Sequence, residues 1–226
     1  GAASAGILAL TKNAVESYAE YEQLVGGVDT LFKNSSNKVK KYADEAYKTA
    51  GLSANEYMET VTSFSASLIQ SLGGDTEKAA EYADRAIVSM SDNANKMGTS
   101  MQSIQNAYQG FAKQNFTMLD NLKLGYGGTK EEMERLLADA SEIAGVEFDI
   151  SSFADVAEAI HVVQTEMGIT GTTALEASTT ITGSMDSMKS AWENLVVGLA
   201  DGNANVDELL DNFLDSVETT AGNILP

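Results

Sequence analysis

The chain carries a single histidine, His161, in the run Ala-Ile-His-Val-Val. General-base or zinc chemistry needs a second group at helical spacing, and Ala157 and Thr165, four residues to either side, supply none. A packed or surface histidine is the expected outcome. Glu131, Glu132 and Glu134 have side chains suited to acid–base work, yet in the first turn of a helix they are accounted for by the positive end of its dipole. Asp201-Gly202-Asn203-Ala204-Asn205-Val206-Asp207 opens like a calcium loop, with oxygen donors at alternate positions. The match fails where the loop is most demanding: Val206 stands at the turn glycine and Asn212 at the bidentate glutamate. Gly125-Tyr126-Gly127-Gly128-Thr129-Lys130 precedes a helix as a phosphate cradle does, but without a Gly-Lys-Ser/Thr run or a leading strand it reads as a turn. Met90, Met97, Met101, Met185 and Met188, with Trp192, offer either an adaptable binding face or, as helical periodicity more often means, core. No catalytic, cofactor-binding or metal-ligating residue is assigned, and no enzymatic activity is expected.

The elements that would position these residues are helical. Among 226 residues the one proline is Pro226, and Ala, Leu, Met, Glu and Lys dominate stretches bounded by glycine or by Ser, Thr and Asp. This is the composition of an all-α protein, long enough for one large domain or two small ones. Without cysteine, neither disulfides nor thiolate metal sites can form. The net charge of −19 is unevenly spread: residues 1–113 hold 10 Lys/Arg and 13 Asp/Glu, residues 114–226 hold 4 and 20. Such a surface repels nucleic acid and anionic lipid, although a solvated, solubilising acidic face is the plainer account of the same charges. The chain opens Gly1-Ala-Ala-Ser-Ala-Gly-Ile-Leu-Ala-Leu10 without an initiator Met. That opening is too short to cross a membrane and lacks the basic start of a signal peptide, and the chain is expected to be a fragment of a longer helical, coiled-coil-containing protein.

In chain order, residues 2–25 read as a helix with Ile7, Leu8, Val15, Tyr18 and Leu24 along one side, stopped by Gly26-Gly27. The cluster Asn34-Ser35-Ser36-Asn37 is expected to cap a second helix carrying Val39, Tyr42, Ala46 and Ala50. Ser53 with Glu56 forms a capping box before Tyr57, Val61, Phe64, Leu68 and Leu72. Asp75 opens a helix through Tyr82, Ala86 and Met90 that gives way at the polar run 91–95, and a further helix covers about 100–113. At an offset of 40 residues Tyr42-Ala43-Asp44 aligns with Tyr82-Ala83-Asp84, the mark of a candidate duplicated helix-loop-helix or of a chance match between amphipathic pairs. Three regions result: a helical half at 1–114, an ordered glycine-rich connection at 115–129, and an acidic helical half at 130–226. Phe116, Met118, Leu119, Leu122, Leu124 and Tyr126 make the connection too apolar for a solvated linker. Thr129 with Glu132 and Thr173 with Glu176 have the form of further capping boxes. The first starts a helix at Lys130 that ends at Gly145; after a short extended piece at 146–150, Ser151 or Ser152 caps another that ends at Gly168. The second starts a long helix from Leu175 to Leu199, weakened at 179–183 by β-branched residues and glycine. Asn205 caps a last helix with Leu209, Leu210, Phe213 and Val217.

Longer stretches carry a resemblance. Residues 115–140 (Asn-Phe-Thr-Met-Leu-Asp-Asn-Leu-Lys-Leu-Gly-Tyr-Gly-Gly-Thr-Lys and on), with 53–64, 90–99, 105–116 and Ser-Ala-Trp-Glu-Asn-Leu at 190–195, are similar to the core region of tail tape measure proteins of long-tailed phages and prophages of Gram-positive bacteria. The resemblance covers most of the chain. It implies a structural virion protein that sits in the tail lumen, sets tail length during assembly in the host cytoplasm, and leaves ahead of the genome. It also implies partners: its own copies, tail tube protein, tail assembly chaperones and distal tail or baseplate proteins, with membrane contact by the full-length protein at ejection and no specific nucleic-acid binding. A ruler suits a helix, which adds about 1.5 Å per residue. Here glycines divide the chain and no sustained heptad seam runs its length, so a compact helical domain is expected, the long coiled parts lying elsewhere. The competing class is a secreted helical interaction or pore-forming protein; Ser-Ala-Trp-Glu-Asn resembles the Trp-x-Gly turn of small exported hairpins, with Asn194 at the glycine position. The acidic balance predicts negligible retention of duplex DNA in a filter-binding assay even at low salt; tight, salt-sensitive retention would contradict it.

Overall fold

Helix α1 (Ala2–Phe32) runs straight through the glycine pair at which it was expected to stop. Gly26 and Gly27 keep negative φ, and the turn beyond them is held by burial, since Val28 and Phe32 are wholly enclosed by the core. Packing of an apolar face outweighs about 1 kcal/mol per glycine of lost helix propensity. The computed structural model describes the backbone of residues 2–225 and the side chains of 9–225, so Ile7 and Leu8 lie outside the described side chains.

A 3-10 turn (Lys33–Ser35) joins α1 to α2 (Ser36–Thr49). The Asn34–Asn37 cluster makes no side-chain cap there. Ser35 instead bonds the hydroxyl of Thr76 at 2.9 Å and ties the start of α2 to the start of α4. Gly51, in the left-handed region, turns the chain into α3 (Ala54–Ser71), where both halves of the Ser53–Glu56 capping box form. Asp75 caps α4 (Thr76–Met97) and Ser100 caps α5 (Met101–Ala112). Contrary to expectation, α4 does not give way at residue 91. It continues with Ser91, Asp92 and Asn93 buried.

In the connection after α5, Phe116, Leu119, Leu122 and Leu124 are buried around a 3-10 turn (Leu119–Leu122), while Met118 faces solvent. Thr129 caps α6 (Lys130–Ala144), but only half of its box forms: the Glu132 carboxylate reaches past the cap to accept from the backbone N–H of Gly127 at 2.9 Å. Ser152 caps α7 (Phe153–Glu166). The expected long helix is two, α8 (Thr172–Thr179) and α9 (Ile181–Ala200), broken at Thr180, whose extended backbone ends one and caps the other. The Thr173–Glu176 box is absent, because the cap of α8 is Gly171, which places Thr173 inside the helix, and the Thr173 N–H is taken by a distant carboxylate. Asn205 caps α10 (Val206–Ile224).

The regular structure among the described residues is all helical, without strands. One buried cluster draws on α1 to α7 and on the connection, with Tyr57, Leu68, Ile87, Met90, Tyr108 and Phe111 at its centre and Met133 and Ile160 from beyond the connection. A second layer, α8 to α10, rests on α1, α2 and α4. Its central seam is unusual in being small and polar: Ser184, Ser187, Ala191 and Gly198 of α9 are buried toward Ser216 and Thr220 of α10, and Thr220 donates to the Ser184 carbonyl at 3.0 Å. Among the described residues, no helix is long and apolar enough to cross a membrane.

Gly128 is the tightest backbone approach in the connection. A Cβ there would overlap the Thr117 carbonyl oxygen, which belongs to rigid backbone. Gly128→Ala is expected to lower the urea unfolding free energy by about 2 kcal/mol, the scale of an overpacked core, with an unchanged denaturant slope; unchanged stability would mean the connection is not pinned as described.

Candidate functional site

The strongest concentration of buried polar groups lies in the polar run of α4. Asp92 is fully enclosed, and its two carboxylate oxygens accept from the backbone N–H groups of Gly171 at 2.7 Å and Thr173 at 2.9 Å. A side chain of α4 thus caps α8, whose own cap residue is a glycine without a side chain to offer. The positive end of α8 and two N–H donors balance the cost of burying the charge. Asn93, equally buried, donates to the Leu122 carbonyl at 2.9 Å and to Gln164 Oε1 at 2.8 Å, and accepts from Thr99 at 3.2 Å. Gln164 closes the circuit by donating to the Ser89 carbonyl at 3.0 Å. Four parts of the chain meet here: α4, α7, the start of α8 and the connection.

His161 belongs to the edge of this junction. Its Nδ1 lies 3.0 Å from the Ser89 hydroxyl, and loss of hydration lowers its pKa below the ordinary 6.5 despite the pull of Glu158. A serine beside an imidazole has the look of a nucleophile and its base. Ser89 is 1% exposed, however, and no substrate carbonyl could reach its oxygen. The pair orients the ring. Glu158 is engaged by Arg85, which donates to both carboxylate oxygens at 2.7 Å.

The other sequence candidates are scattered. Glu132 is held by Arg135 and the Gly127 N–H, which bring its pKa down to about 2, a turn-locking role. Glu131 and Glu134 are on the first turns of α6, with Glu134 3.7 Å from Lys130. In the segment that resembles a calcium loop, Asp201 accepts from the Asn203 N–H at 2.9 Å and Asn205 caps α10. One Asp201 oxygen serves the turn and the Asn205 amide oxygen serves the cap, and among the described residues no group of three or more His, Cys, Asp or Glu is arranged to hold a metal. Gly125 to Lys130 forms a turn in which Arg135 donates to the Gly125 carbonyl and stacks on Tyr126. The methionines divide: Met90 is core and Met97 and Met101 pack against it, whereas Met185 and Trp192 are exposed on α9.

Sequence reasoning missed Asp92, Asn93 and Gln164. A signal existed for Asn93, which falls on the stripe Ala83, Ala86, Met90, Met97 at helical spacing, a polar residue on the buried face of a continuing helix. The structure also opens a cleft of about 500 Å³ between α1, the start of α3 and α9. It is lined by Glu16, Glu20, Glu56, Glu59 and Glu193, with Lys189 and Trp192. Dehydration raises the pKa of Glu193, helped by Glu56 and Glu20. A smaller neighbour includes Asp44, whose pKa is pushed up to about 6 by dehydration and then by Glu208 and Glu45. These clefts offer acceptors and negative potential, and the hydroxyl that meets Glu193, that of Ser53, is buried as the cap of α3.

No family model, no curated protein and no solved structure matches the chain.

Because Asn93 satisfies partners on three segments, Asn93→Ala leaves the Leu122 carbonyl and the Gln164 Oε1 unpaired in the core. The expected cost is about 3 kcal/mol in equilibrium unfolding, within the range for breaking a buried network. A loss below about 0.5 kcal/mol, the scale of a surface substitution, would show the junction to be dispensable.

Proposed function

We propose that this chain is a structural module of a tail tape measure protein, a compact helical segment within a longer helical and coiled-coil ruler that occupies the tail lumen. The observation that carries the reading is the extent of the similar wording. Residues 53–64 hold the Ser53–Glu56 capping box and the buried face of α3. Residues 90–99 hold Asp92, Asn93 and Thr99; residues 105–116 hold Tyr108, Phe111 and Phe116; residues 115–140 hold the connection and most of α6. Each of these stretches thus contributes to the core or its polar junction, as expected where it is a fold and not an active site that is shared.

Two physical features support the same reading. Left-handed glycines at 51, 73, 98, 125, 145 and 168 separate the helices and fold the chain back on itself, so it is no plain rod. The acidic second half would discourage adhesion of DNA moving along a tube. In this reading the chain assembles in the host cytoplasm with its own copies, tail assembly chaperones, tail tube and distal tail proteins. It performs no catalysis and uses no cofactor.

Mass spectrometry of virions purified from the source particle is expected to find this chain in intact tails and to lose it from particles that have ejected their DNA. Its absence from intact tails would refute the proposal. Dye-loaded liposomes separate the competing class: a tail ruler module releases no dye, and a pore-forming protein does.

A further inference from the structure

The second layer leaves one broad apolar face uncovered. Along α9, apolar residues recur at 181, 185, 188, 192, 195 and 199, in alternating steps of four and three. Of these, Ile181, Met185, Trp192 and Leu199 are 40–54% exposed. Helix α10 repeats the rhythm at 210, 214, 217, 221 and 224, with Leu210, Leu214 and Ile224 41–52% exposed. This is the spacing of a coiled-coil seam; Leu195 is buried beneath it, and the seven exposed side chains just named are left open to solvent by the described residues.

The two seams form one surface. The helices are antiparallel, since Thr220 bonds Ser184 near one end and Leu209 lies against Gly198 near the other. On each helix the open seam lies roughly 110° from the small-residue face that meets its partner, in the same rotational sense, at 100° per residue. Reversing one helix direction brings both seams out on the same side of the pair. Trp192 and Phe213, with ring centroids 5.2 Å apart, mark where they join. The close approach through Ser184, Ser187, Ala191 and Gly198 leaves a shallow trough between two rows of large side chains.

Charge decides what fills it. Helix α10 carries Asp207, Glu208, Asp211, Asp215 and Glu218 and no cation, and the only cation on α9 is Lys189. A second copy would set these carboxylates against their own kind, and an anionic bilayer would be repelled. We infer that the α9–α10 face is a docking site for a basic amphipathic helix of another protein, its apolar stripe in the trough and its Lys or Arg side chains against the acidic flank. Adaptable Met185 and Met188 suit such a seat. The inference stands on the geometry and charge of this face and does not depend on the tail reading.

Trp192 is the only tryptophan, and it borders both the trough and the glutamate-lined cleft beside α1, so its emission reports binding at either and the Leu214→Glu variant assigns the signal to the trough. The probe is a synthetic helix of about three heptads with Leu at the a and d positions and Lys on both flanks. Added to the full chain, it is expected to blue-shift Trp192 emission, with a Kd that weakens about tenfold or more on raising salt past physiological strength. The same peptide with Glu for Lys should give no shift. Leu214→Glu, on an exposed position, should keep the helical circular dichroism and abolish the shift, while Leu175→Glu on α8 should leave it intact. The inference is overturned if the cationic peptide gives no shift, if both peptides bind alike, or if Leu214→Glu binds normally. It is equally overturned if sedimentation shows a peptide-free dimer lost in Leu214→Glu, or if liposomes of neutral or anionic lipid shift Trp192 where the peptide does not.

Discussion

A buried carboxylate needs compensation, and the position of Asp92 makes that need an organising constraint. Desolvating an ionised group costs several kcal/mol unless donors meet it, and here both oxygens are met by the first N–H groups of a helix from another part of the chain. The neighbouring Asn93 imposes the same condition on the connection and on α7. Apolar contact alone would tolerate several sliding arrangements of α4, α7 and the connection. Matching each buried donor to an acceptor at 2.7–3.2 Å admits far fewer. The large side chains around the junction supply most of the driving force, and the polar groups select the register in which it is realised.

Much of the architecture was legible because its signals are local. Ser53, Asp75 and Asn205 cap the helices they were expected to cap, and of Ser151 and Ser152 it is Ser152 that caps α7, since a side chain three residues from an orphan N–H acts without knowledge of the rest of the fold. Misreadings arose where tertiary structure overrode a local cue. Gly26-Gly27 has the form of a stop, yet burial of Val28 and Phe32 carries the helix through. Thr173 and Glu176 have the form of a box, yet Asp92 reached the helix start first. The polar run at 91–95 reads as a loop because a single sequence does not reveal that Gln164, 71 residues beyond Asn93, waits to satisfy it. The candidate site was less legible for the same reason: its parts come from separate helices, and no local pattern unites Ser89 with His161 or Glu16 with Glu193.

The two layers are held by different physics. The first is a conventional apolar core. The second meets it through Asp92, through Asn194 accepting from the Ala54 N–H at 2.8 Å, and through Ser190 donating to the Gly51 carbonyl at 3.1 Å. Hydrogen bonds of this kind fix orientation while adding only about 1 kcal/mol each. The second layer therefore depends on the first for its placement and spends few of its own large apolar groups on attachment, which is why so many remain on its outer face.

The left-handed glycines between helices also define a reserve of length. As folded, the chain doubles back at several of them, with α2 against α3, α3 against α4 and α6 against α7. The same 226 residues drawn into one uninterrupted helix would span on the order of 340 Å, at about 1.5 Å per residue. Most of that contour is stowed by turns at which a residue without a side chain is the natural occupant.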